Sequence, residues 1–229
     1  MLQQSFGVSP RDEEAQHVFV VDDDESVRSS LERLLTSEGL TVDTFPTAQA
    51  FLDALPQLQA PSCVVLDVGL PGLDGLALQR RLREMDAPLA VVFLTGRGSI
   101  PMSVQAIKGG AVEFFTKPFL PAELVAGVRD GISRARAVVE ERRSMAELRR
   151  RHVSLTTRER EVMAGVVEGL LNKQIAARLG TSEVTVKEQR GHVMRKMVAE
   201  SAADLVRMGM KLGIFTLDTS PSAKKLSDS

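Results

Sequence analysis

The chain has 229 residues, of which 43% are hydrophobic and 26% charged, and its formal net charge is −1. That length allows one large domain or two small ones. The single cysteine, Cys63, excludes an internal disulfide and a cysteine-based zinc cluster. The absence of Trp and Tyr argues against binding of single-stranded nucleic acid by aromatic stacking. No apolar run is long enough to cross a membrane and no signal-peptide core is present, so we expect a cytoplasmic protein with no membrane partner.

The small net charge hides an acidic half and a basic half. Residues 1–133 contain 10 Lys and Arg against 18 Asp and Glu, a net charge of −8. Residues 134–229 contain 19 against 12, a net charge of +7. Such an asymmetry indicates two units with different partners. The acidic half is suited to a cation, and the basic half to a polyanion such as DNA.

Short apolar runs alternate with amphipathic segments after a polar N-terminal tail at residues 1–16, which we expect to be disordered. The runs predict strands at residues 17–21, 41–45, 63–66, 89–94 and 111–115. Helices are predicted at about residues 25–38, 47–55, 76–84 and 101–108, and a fifth begins at Pro121. Several strands are almost continuously apolar, which is typical of a parallel sheet covered on both faces. Residues 17–133 are therefore predicted to form an α/β domain with a five-stranded, doubly wound parallel sheet.

Residues 134–153 are dominated by Arg and Glu and are predicted to form a helical linker that continues the fifth helix. A dimerising coiled coil is a weaker alternative for this segment, because no apolar heptad is sustained. Residues 154–215 have helical periodicity only, so an all-α domain of four helices is expected. A capping-box pattern at Thr156 and Glu159 opens its first helix, which runs to about residue 168.

The second and third helices of this domain are predicted to form a helix-turn-helix. Asn172 is expected to cap the second helix, which ends at Gly180. Ser182 is expected to cap the third helix, which runs to about residue 197. A fourth helix follows a capping-box pattern at Ser201, and we expect a disordered tail at residues 216–229.

Polar side chains follow four of the five predicted strands. They are Asp22 and Asp23 after the first strand, Asp67 after the third, Thr95 at the end of the fourth and Lys117 after the fifth. Ligand sites of open α/β sheets lie beyond the carboxyl ends of the strands, so the carboxylates converge if the first and third strands are neighbours. Three carboxylates in one cleft repel each other unless a cation joins them, and oxygen ligands favour Mg²⁺. An Asp in such a cleft can accept a phosphoryl group, whose oxygens Thr95 and Lys117 would bind.

Four segments carry these residues: VFVVDDDESVR, VVLDVGLPGLDG, VVFLTGRG and VEFFTKPF. Together they resemble the receiver domain of two-component systems. The resemblance implies that Asp67 is phosphorylated by a sensor histidine kinase. It also implies that Mg²⁺ is held by Asp22, Asp23, Asp67 and the backbone carbonyl of Gly69.

The resemblance to receivers implies a switch as well. Thr95 and Phe114 are expected to move together on phosphorylation, and a cis peptide is expected between Lys117 and Pro118. Many relatives have Tyr at the position of Phe114, so a switch here would depend on packing without a hydroxyl.

The second half contains the motifs LTTRE, NKQIA and TVK. Residues 154–215 therefore resemble the DNA-binding domain of the FixJ/NarL/LuxR family. The resemblance implies that Lys187, Glu188 and Gly191 lie against base edges, and that Thr185, Arg190 and Arg195 lie near the DNA backbone. Glu188 replaces an apolar residue of many relatives, and its carboxylate can accept a hydrogen bond from cytosine N4. Gly191 lacks the basic side chain that is common at its position.

The two resemblances together predict a FixJ-type response regulator. Phosphorylation of Asp67 is expected to promote a homodimer through the surface from Pro101 to the fifth helix, with recognition helices on half-sites of double-stranded promoter DNA. RNA polymerase is an expected partner, and activation of transcription is the commoner outcome in this family. No enzymatic activity is expected beyond the receiver's own phosphoryl transfer and dephosphorylation.

Two other classes of protein fit parts of the sequence. Asp22 and Asp24 have the spacing of a hydrolase that forms an aspartyl phosphate, but the helix-turn-helix and the acidic pair opposite Asp67 argue against that class. A constitutive DNA-binding protein with an inert receiver is the other alternative. The intact set of receiver residues argues against it.

Overall fold

The computed structural model describes residues 16–55 and 61–214 of the chain. The two tails predicted to be disordered lie outside the described residues, apart from Gln16. The chain divides into two compact units between Glu140 and Glu141.

The first unit is built on a five-stranded parallel sheet. Its strands are β1 (His17–Val21), β2 (Thr41–Phe45), β3 (Ser62–Leu66), β4 (Leu89–Thr95) and β5 (Glu113–Thr116). They are ordered β2-β1-β3-β4-β5 and every neighbouring pair is parallel. The first and third strands are neighbours, which is the condition for the carboxylates to converge. The strand order reverses between them, which creates a crevice at their carboxyl ends.

Helices cover both faces of this sheet. They are α1 (Glu25–Ser37), α2 (Ala48–Ala54), α3 (Gly75–Glu84), α4 (Ile100–Lys108) and α5 (Pro121–Val153). One core contains Leu35 of α1 and Leu124 of α5, and the other contains Phe51 of α2 and Leu78 of α3. Helices on both faces confirm the predicted doubly wound α/β fold. A sheet with two buried faces requires its central strands to be apolar on both sides, which explains the apolar runs in the sequence. Helix α5 includes residues 134–153.

The fifth strand begins at Glu113, two residues later than predicted. The chain leaves α4 through Gly110, whose φ is +95°, and the Ala111 N–H donates to the carbonyl of Ala106 at 3.1 Å. Ala111 therefore closes the end of the helix instead of joining the strand ladder. The apolar character of residues 111–115 does not distinguish a residue that ends a helix from one that begins a strand.

The second unit is all-α, as predicted. Its helices after α5 are α6 (Thr157–Val167), α7 (Asn172–Leu179), α8 (Glu183–Met197) and α9 (Ala202–Lys211). The predicted caps at Thr156, Ser182 and Ser201 are present, each accepting a hydrogen bond from a backbone N–H three residues later. Their core is shared among the helices and includes Met163 of α6, Ile175 of α7, Val186 and Val193 of α8, and Leu205 of α9.

The predicted cap at Asn172 is wrong. Leu171 occupies the N-cap position, and its backbone N–H donates to Oε1 of Gln174 at 2.8 Å. Asn172 is the first helical residue, and its Oδ1 accepts a hydrogen bond from Arg190 of α8 at 3.0 Å. Asn is a preferred N-cap residue, but here its side chain is hydrogen-bonded to Arg190 on another helix instead. Gly180 does end α7, in the left-handed conformation with φ +60°.

Candidate functional site

Three carboxylates meet at the carboxyl ends of β1 and β3. Val21 lies opposite Leu66 in the parallel pair, so the residues that follow these two strands are adjacent. Asp22, Asp23 and Asp67 each offer a carboxylate oxygen within 4.8 Å of the others. The structure therefore brings together the three acidic residues that sequence reasoning selected.

A lysine from the far edge of the sheet reaches this cluster. Nζ of Lys117 donates to Oδ2 of Asp22 at 2.7 Å, and the Lys117 backbone N–H donates to the carbonyl of Thr95 at 2.8 Å. The Lys117–Pro118 peptide is cis, as the resemblance implied. Burial raises the pKa of Asp22, and the hydrogen bond from Lys117 opposes that rise. Lys117 thus offsets part of the free-energy cost of burying the charged Asp22 carboxylate, which is only 2% exposed.

Asp67 has one oxygen with no partner in the described chain. Its Oδ1 is buried and accepts no hydrogen bond there. A buried carboxylate oxygen without a partner lowers the stability of the fold. A cation beside it would supply the missing interaction. The residues present therefore fit a hard divalent cation, and an acidic cluster of this kind is typical of Mg²⁺ binding.

The backbone around Asp67 is held by close packing. Its N–H donates to the carbonyl of Val21 at 2.9 Å. At Gly75, the first residue of α3, a Cβ would overlap the Asp67 carbonyl oxygen and lie 3.0 Å from Cα of Val68. Only glycine lets α3 begin this close to the acceptor residue. Nearby, a Cβ at Gly69 would make an ordinary contact with Oδ2 of Asp67, so Gly69 leaves the carboxylate open on that side.

The two predicted switch residues lie on adjacent strands. Thr95 is buried, and its Oγ1 accepts a hydrogen bond from the Arg97 N–H at 3.3 Å. Phe114 is half-buried, with its ring centroid 5.9 Å from that of Phe93, its partner across the β4–β5 pair. Gly98 permits this arrangement, because a Cβ there would lie 2.5 Å from Cγ2 of Thr116 and 3.2 Å from the ring of Phe114.

Arg28 is a site residue that sequence reasoning missed. Its Nη1 donates to the carbonyl of Asp22 at 2.7 Å and to that of Asp23 at 3.0 Å. Asp24 caps α1 in the same turn and turns its backbone N–H toward Oδ1 of Asp22. The available signal was an arginine near the start of the helix predicted at residues 25–38, since the positive end of a helix dipole disfavours an unpartnered cation there.

In the second unit, α7, a turn at residues 180–182 and α8 form the predicted helix-turn-helix. Of the six predicted DNA contacts, Lys187, Glu188 and Arg195 are exposed, whereas Thr185, Arg190 and Gly191 are half-buried. The Thr185 hydroxyl is hydrogen-bonded to that of Ser182 at 2.9 Å. The helix therefore presents both signs of charge, with basic groups on either side of a central carboxylate.

A buried carboxylate under α8 was also missed as a site residue. Glu159 is 2% exposed; its Oε2 accepts from the Thr156 N–H at 2.7 Å and from Nζ of Lys196 at 2.6 Å. Nδ1 of His192 lies 3.7 Å from its other oxygen. The hydrogen bond from Lys196 lowers the pKa of Glu159. The capping-box pattern in the sequence indicated that Glu159 caps α6. It did not indicate that Glu159 also pairs with Lys196 on α8.

The motif geometry agrees with comparisons to known proteins. Residues 18–129 match the family model described as response regulator receiver domain, and residues 153–209 match that of bacterial regulatory proteins, luxR family. The chain is 48% identical to nodulation protein W of Bradyrhizobium diazoefficiens over 198 residues, which are 86% of each chain. This chain is a response regulator of the FixJ/NarL/LuxR family.

Other relatives of this response regulator share its two-part organisation. FixJ of Bradyrhizobium diazoefficiens is 42% identical over 86% of this chain and 96% of FixJ. Among solved structures, the response regulator StyR has a TM-score of 0.78 and 41% identity, with 86% of this chain and 99% of StyR covered. Full-length FixJ from B. japonicum has a TM-score of 0.54 and 42% identity, with 88% and 98% covered.

Membership of this family sets the broad function. The relatives are transcriptional regulators and not enzymes, so the hydrolase alternative is wrong. A receiver domain implies a histidine kinase as phosphodonor, and a luxR-type domain implies binding to DNA. No helix in the described parts of the chain is long and apolar enough to span a membrane.

Proposed function

We propose that phosphorylation of Asp67 by a sensor histidine kinase makes this response regulator dimerise and bind promoter DNA sequence-specifically. The observation that carries the proposal is the buried, unpartnered Oδ1 of Asp67 beside two more carboxylates and the ammonium of Lys117. An acceptor carboxylate needs an available oxygen and nearby positive charge, and this site supplies both.

The metal in this proposal is Mg²⁺. Asp22, Asp23 and Asp67, together with the Gly69 carbonyl, would hold it. When bound, Mg²⁺ neutralises negative charge on the phosphoryl oxygens. Arg28 contributes by holding the carbonyls of Asp22 and Asp23, which keeps the acidic loop in the geometry that its carboxylates need.

Phosphoryl transfer itself requires little covalent chemistry from the protein. A carboxylate oxygen of Asp67 forms a bond to phosphorus as the phosphorus–nitrogen bond of the kinase's phosphohistidine breaks, and the imidazole leaves with the electron pair. Lys117 and the Thr95 hydroxyl are proposed to bind the transferred oxygens. Thr95 would then exchange its hydrogen bond with the Arg97 N–H for one to the phosphoryl group. The half-buried ring of Phe114 would move into the space beside Thr95.

The proposed dimer surface includes an apolar stripe on α4. Ile100, Val104 and Ile107 have helical spacing and exposed side chains, and Ile100 is 81% exposed. A stripe of this kind is unfavourable in water unless a partner covers it. The expected occupant is the same surface of a second copy, because a two-fold dimer presents both recognition helices to a two-fold DNA site.

On the DNA side, we propose that Lys187, Glu188 and Gly191 meet base edges and that Thr185, Arg190 and Arg195 lie near the backbone. The charges support the places of Glu188, Arg190 and Arg195 in this division, since cations bind phosphates and a carboxylate is repelled by them. RNA polymerase is the proposed downstream partner in the cytoplasm, with activation of transcription as the outcome.

The proposed domain boundaries are a receiver at residues 17–133, a helical linker at 134–153 and a DNA-binding domain at 154–215. The helicity of residues 134–153 within α5 and the chain's division near residue 140 support them. Limited proteolysis followed by mass spectrometry tests these boundaries. Cleavage is expected in residues 134–153, before residue 17 or after residue 215, and not inside either domain.

Sedimentation velocity with beryllofluoride and MgCl₂ tests the switch, since beryllofluoride mimics a phosphoryl group on a carboxylate. Wild-type protein is expected to dimerise and to bind a promoter fragment more tightly. Asp67→Asn should stay monomeric. Val104→Asp should impair dimerisation, whereas Met85→Asp, an exposed apolar control at the C-cap of α3, should not. Unchanged oligomeric state and affinity in wild-type protein would instead support the constitutive alternative.

A further inference from the structure

One exposed apolar side chain lies on the recognition helix α8. Val184 is 68% exposed. Residues 184, 188, 191 and 195 follow each other at intervals of four, three and four, so they share one face of the helix. The side chains that pack into the core from the opposite face are Val186, Val193 and Met197. Val184 therefore lies at the N-terminal end of the face that points away from the protein core.

Neither packing nor helix formation accounts for a valine here. The N-cap is made by Ser182, whose Oγ accepts from the Thr185 N–H at 3.1 Å, and Val184 contributes nothing to it. A β-branched residue also has a lower helix propensity than alanine. The exposed side chain of Val184 is therefore available for contact with a ligand.

The charges along this face indicate which part of DNA it meets. Its successive residues Val184, Glu188 and Gly191 carry no positive charge, and the carboxylate would be repelled by phosphates. Arg195 supplies a cation at the C-terminal end of this face, and Lys187 supplies one beside it. The centre of the face is therefore suited to the floor of the major groove, where the N-terminal residues of a recognition helix contact base edges.

In the major groove an apolar side chain has one specific partner, which is the 5-methyl group of thymine. We propose that Val184 contacts the 5-methyl group of a thymine in each half-site and so selects thymine at that position. The inference rests on the proposed sequence-specific DNA binding and adds a base preference to it. Glu188, one turn further along α8, would then face a neighbouring amino group such as cytosine N4.

The test replaces single methyl groups in the DNA. Duplexes bound by the full-length protein with beryllofluoride and MgCl₂ are selected from a random library, and each thymine of the selected sequence is replaced by deoxyuridine. The change at one thymine per half-site is expected to weaken wild-type binding about 3- to 5-fold, as burial of one methyl group predicts. Val184→Ala should bind the unmodified duplex about 3- to 5-fold more weakly and should no longer distinguish thymine from deoxyuridine at that position.

Val198→Ala is the matched control, because Val198 is 60% exposed at the C-cap that follows the same helix. It should keep the wild-type response to every deoxyuridine, and circular dichroism should give the same helix content for all variants. The inference is overturned if Val184→Ala retains the full response, or if no deoxyuridine affects wild-type binding. Selection of no sequence at all would overturn the proposed function, and the inference with it.

Discussion

Oε2 of Glu159 lies 2.6 Å from Nζ of Lys196, so the carboxylate that completes the capping box of α6 also holds the recognition helix α8. The carboxylate is almost fully buried, whereas Lys196 is partly exposed. Loss of the carboxylate would leave the Thr156 N–H without its side-chain acceptor, and the ammonium with the more distant Ser154 carbonyl at 3.4 Å. The pair thus connects local helix capping to the position of the DNA-binding surface.

Glu159→Gln is expected to lower the free energy of unfolding of the second unit by about 1–2 kcal/mol, because a charged acceptor becomes neutral while Lys196 regains some hydration. Urea unfolding with hydrogen exchange on α6 and α8 measures it. Glu161→Gln is the matched control, since its exposed pair with Arg158 should contribute less than about 0.5 kcal/mol. Equal effects of the two substitutions would contradict the role assigned to Glu159.

The same carboxylate predicts a pH dependence. The hydrogen bond from Lys196 lowers the pKa of Glu159 from its ordinary value of 4.5. A lowered pKa in the folded state means that the unfolded state binds the proton more readily, so the stabilisation is complete well above pH 4.5 and is lost as the pH falls through the folded-state value. The difference in Tm between wild type and Glu159→Gln should therefore be constant from pH 8 to 6 and shrink below about pH 4.5. A difference that stays constant to pH 3 would be inconsistent with a lowered pKa.

Gly75→Ala is expected to destabilise the receiver by roughly 2–3 kcal/mol, although alanine normally stabilises a helix relative to glycine. The added Cβ would overlap the Asp67 carbonyl, so α3 or the acceptor loop must move. Chemical denaturation measures the stability. Gly96→Ala is the control, because a Cβ there has no neighbour within 4 Å. Similar stabilities for the two variants would refute the close approach.

Lys117→Met is expected to tighten Mg²⁺ binding about 3- to 10-fold, because removal of one positive charge a few ångströms away increases the attraction between the carboxylates and a cation. Isothermal titration calorimetry with MgCl₂ provides the dissociation constants. Lys108→Met, which removes an equal charge at the end of α4, should leave the affinity near that of wild type. Unchanged or weaker binding in Lys117→Met would show that the lysine does not compete with the cation for Asp22.

Arg28→Gln is expected to reduce both the free energy of unfolding, by about 1–2 kcal/mol, and Mg²⁺ affinity, because two backbone carbonyls lose a charged donor. Arg33→Gln removes an exposed cation from the same helix and serves as the control. Thermal unfolding and calorimetry distinguish the two effects. If Arg28→Gln binds Mg²⁺ as tightly as Arg33→Gln or more tightly, the loss of positive charge and not the clamp on the acidic loop governs the affinity.

Local chemistry in the sequence was sufficient for most elements. The period of apolar residues marks strands and helices, and hydroxyl or carboxyl caps such as Thr156 and Ser182 mark helix starts, because both effects act within a few residues. The acidic site was also predictable, since Asp22 and Asp67 each follow a buried strand and parallel strands end at the same edge of a sheet. Motif resemblance then supplied the family.

Only the tertiary structure decided how side chains are shared between elements. Lys117 reaches Asp22 across 95 positions of sequence, Arg28 holds the carbonyls of its own acidic loop, and Asn172 leaves its expected cap for Arg190. Likewise, Glu159 serves α6 and α8 at once. A polar group takes whichever partner packing brings within hydrogen-bond distance, and sequence spacing fixes that distance only within a helix turn or a strand pair.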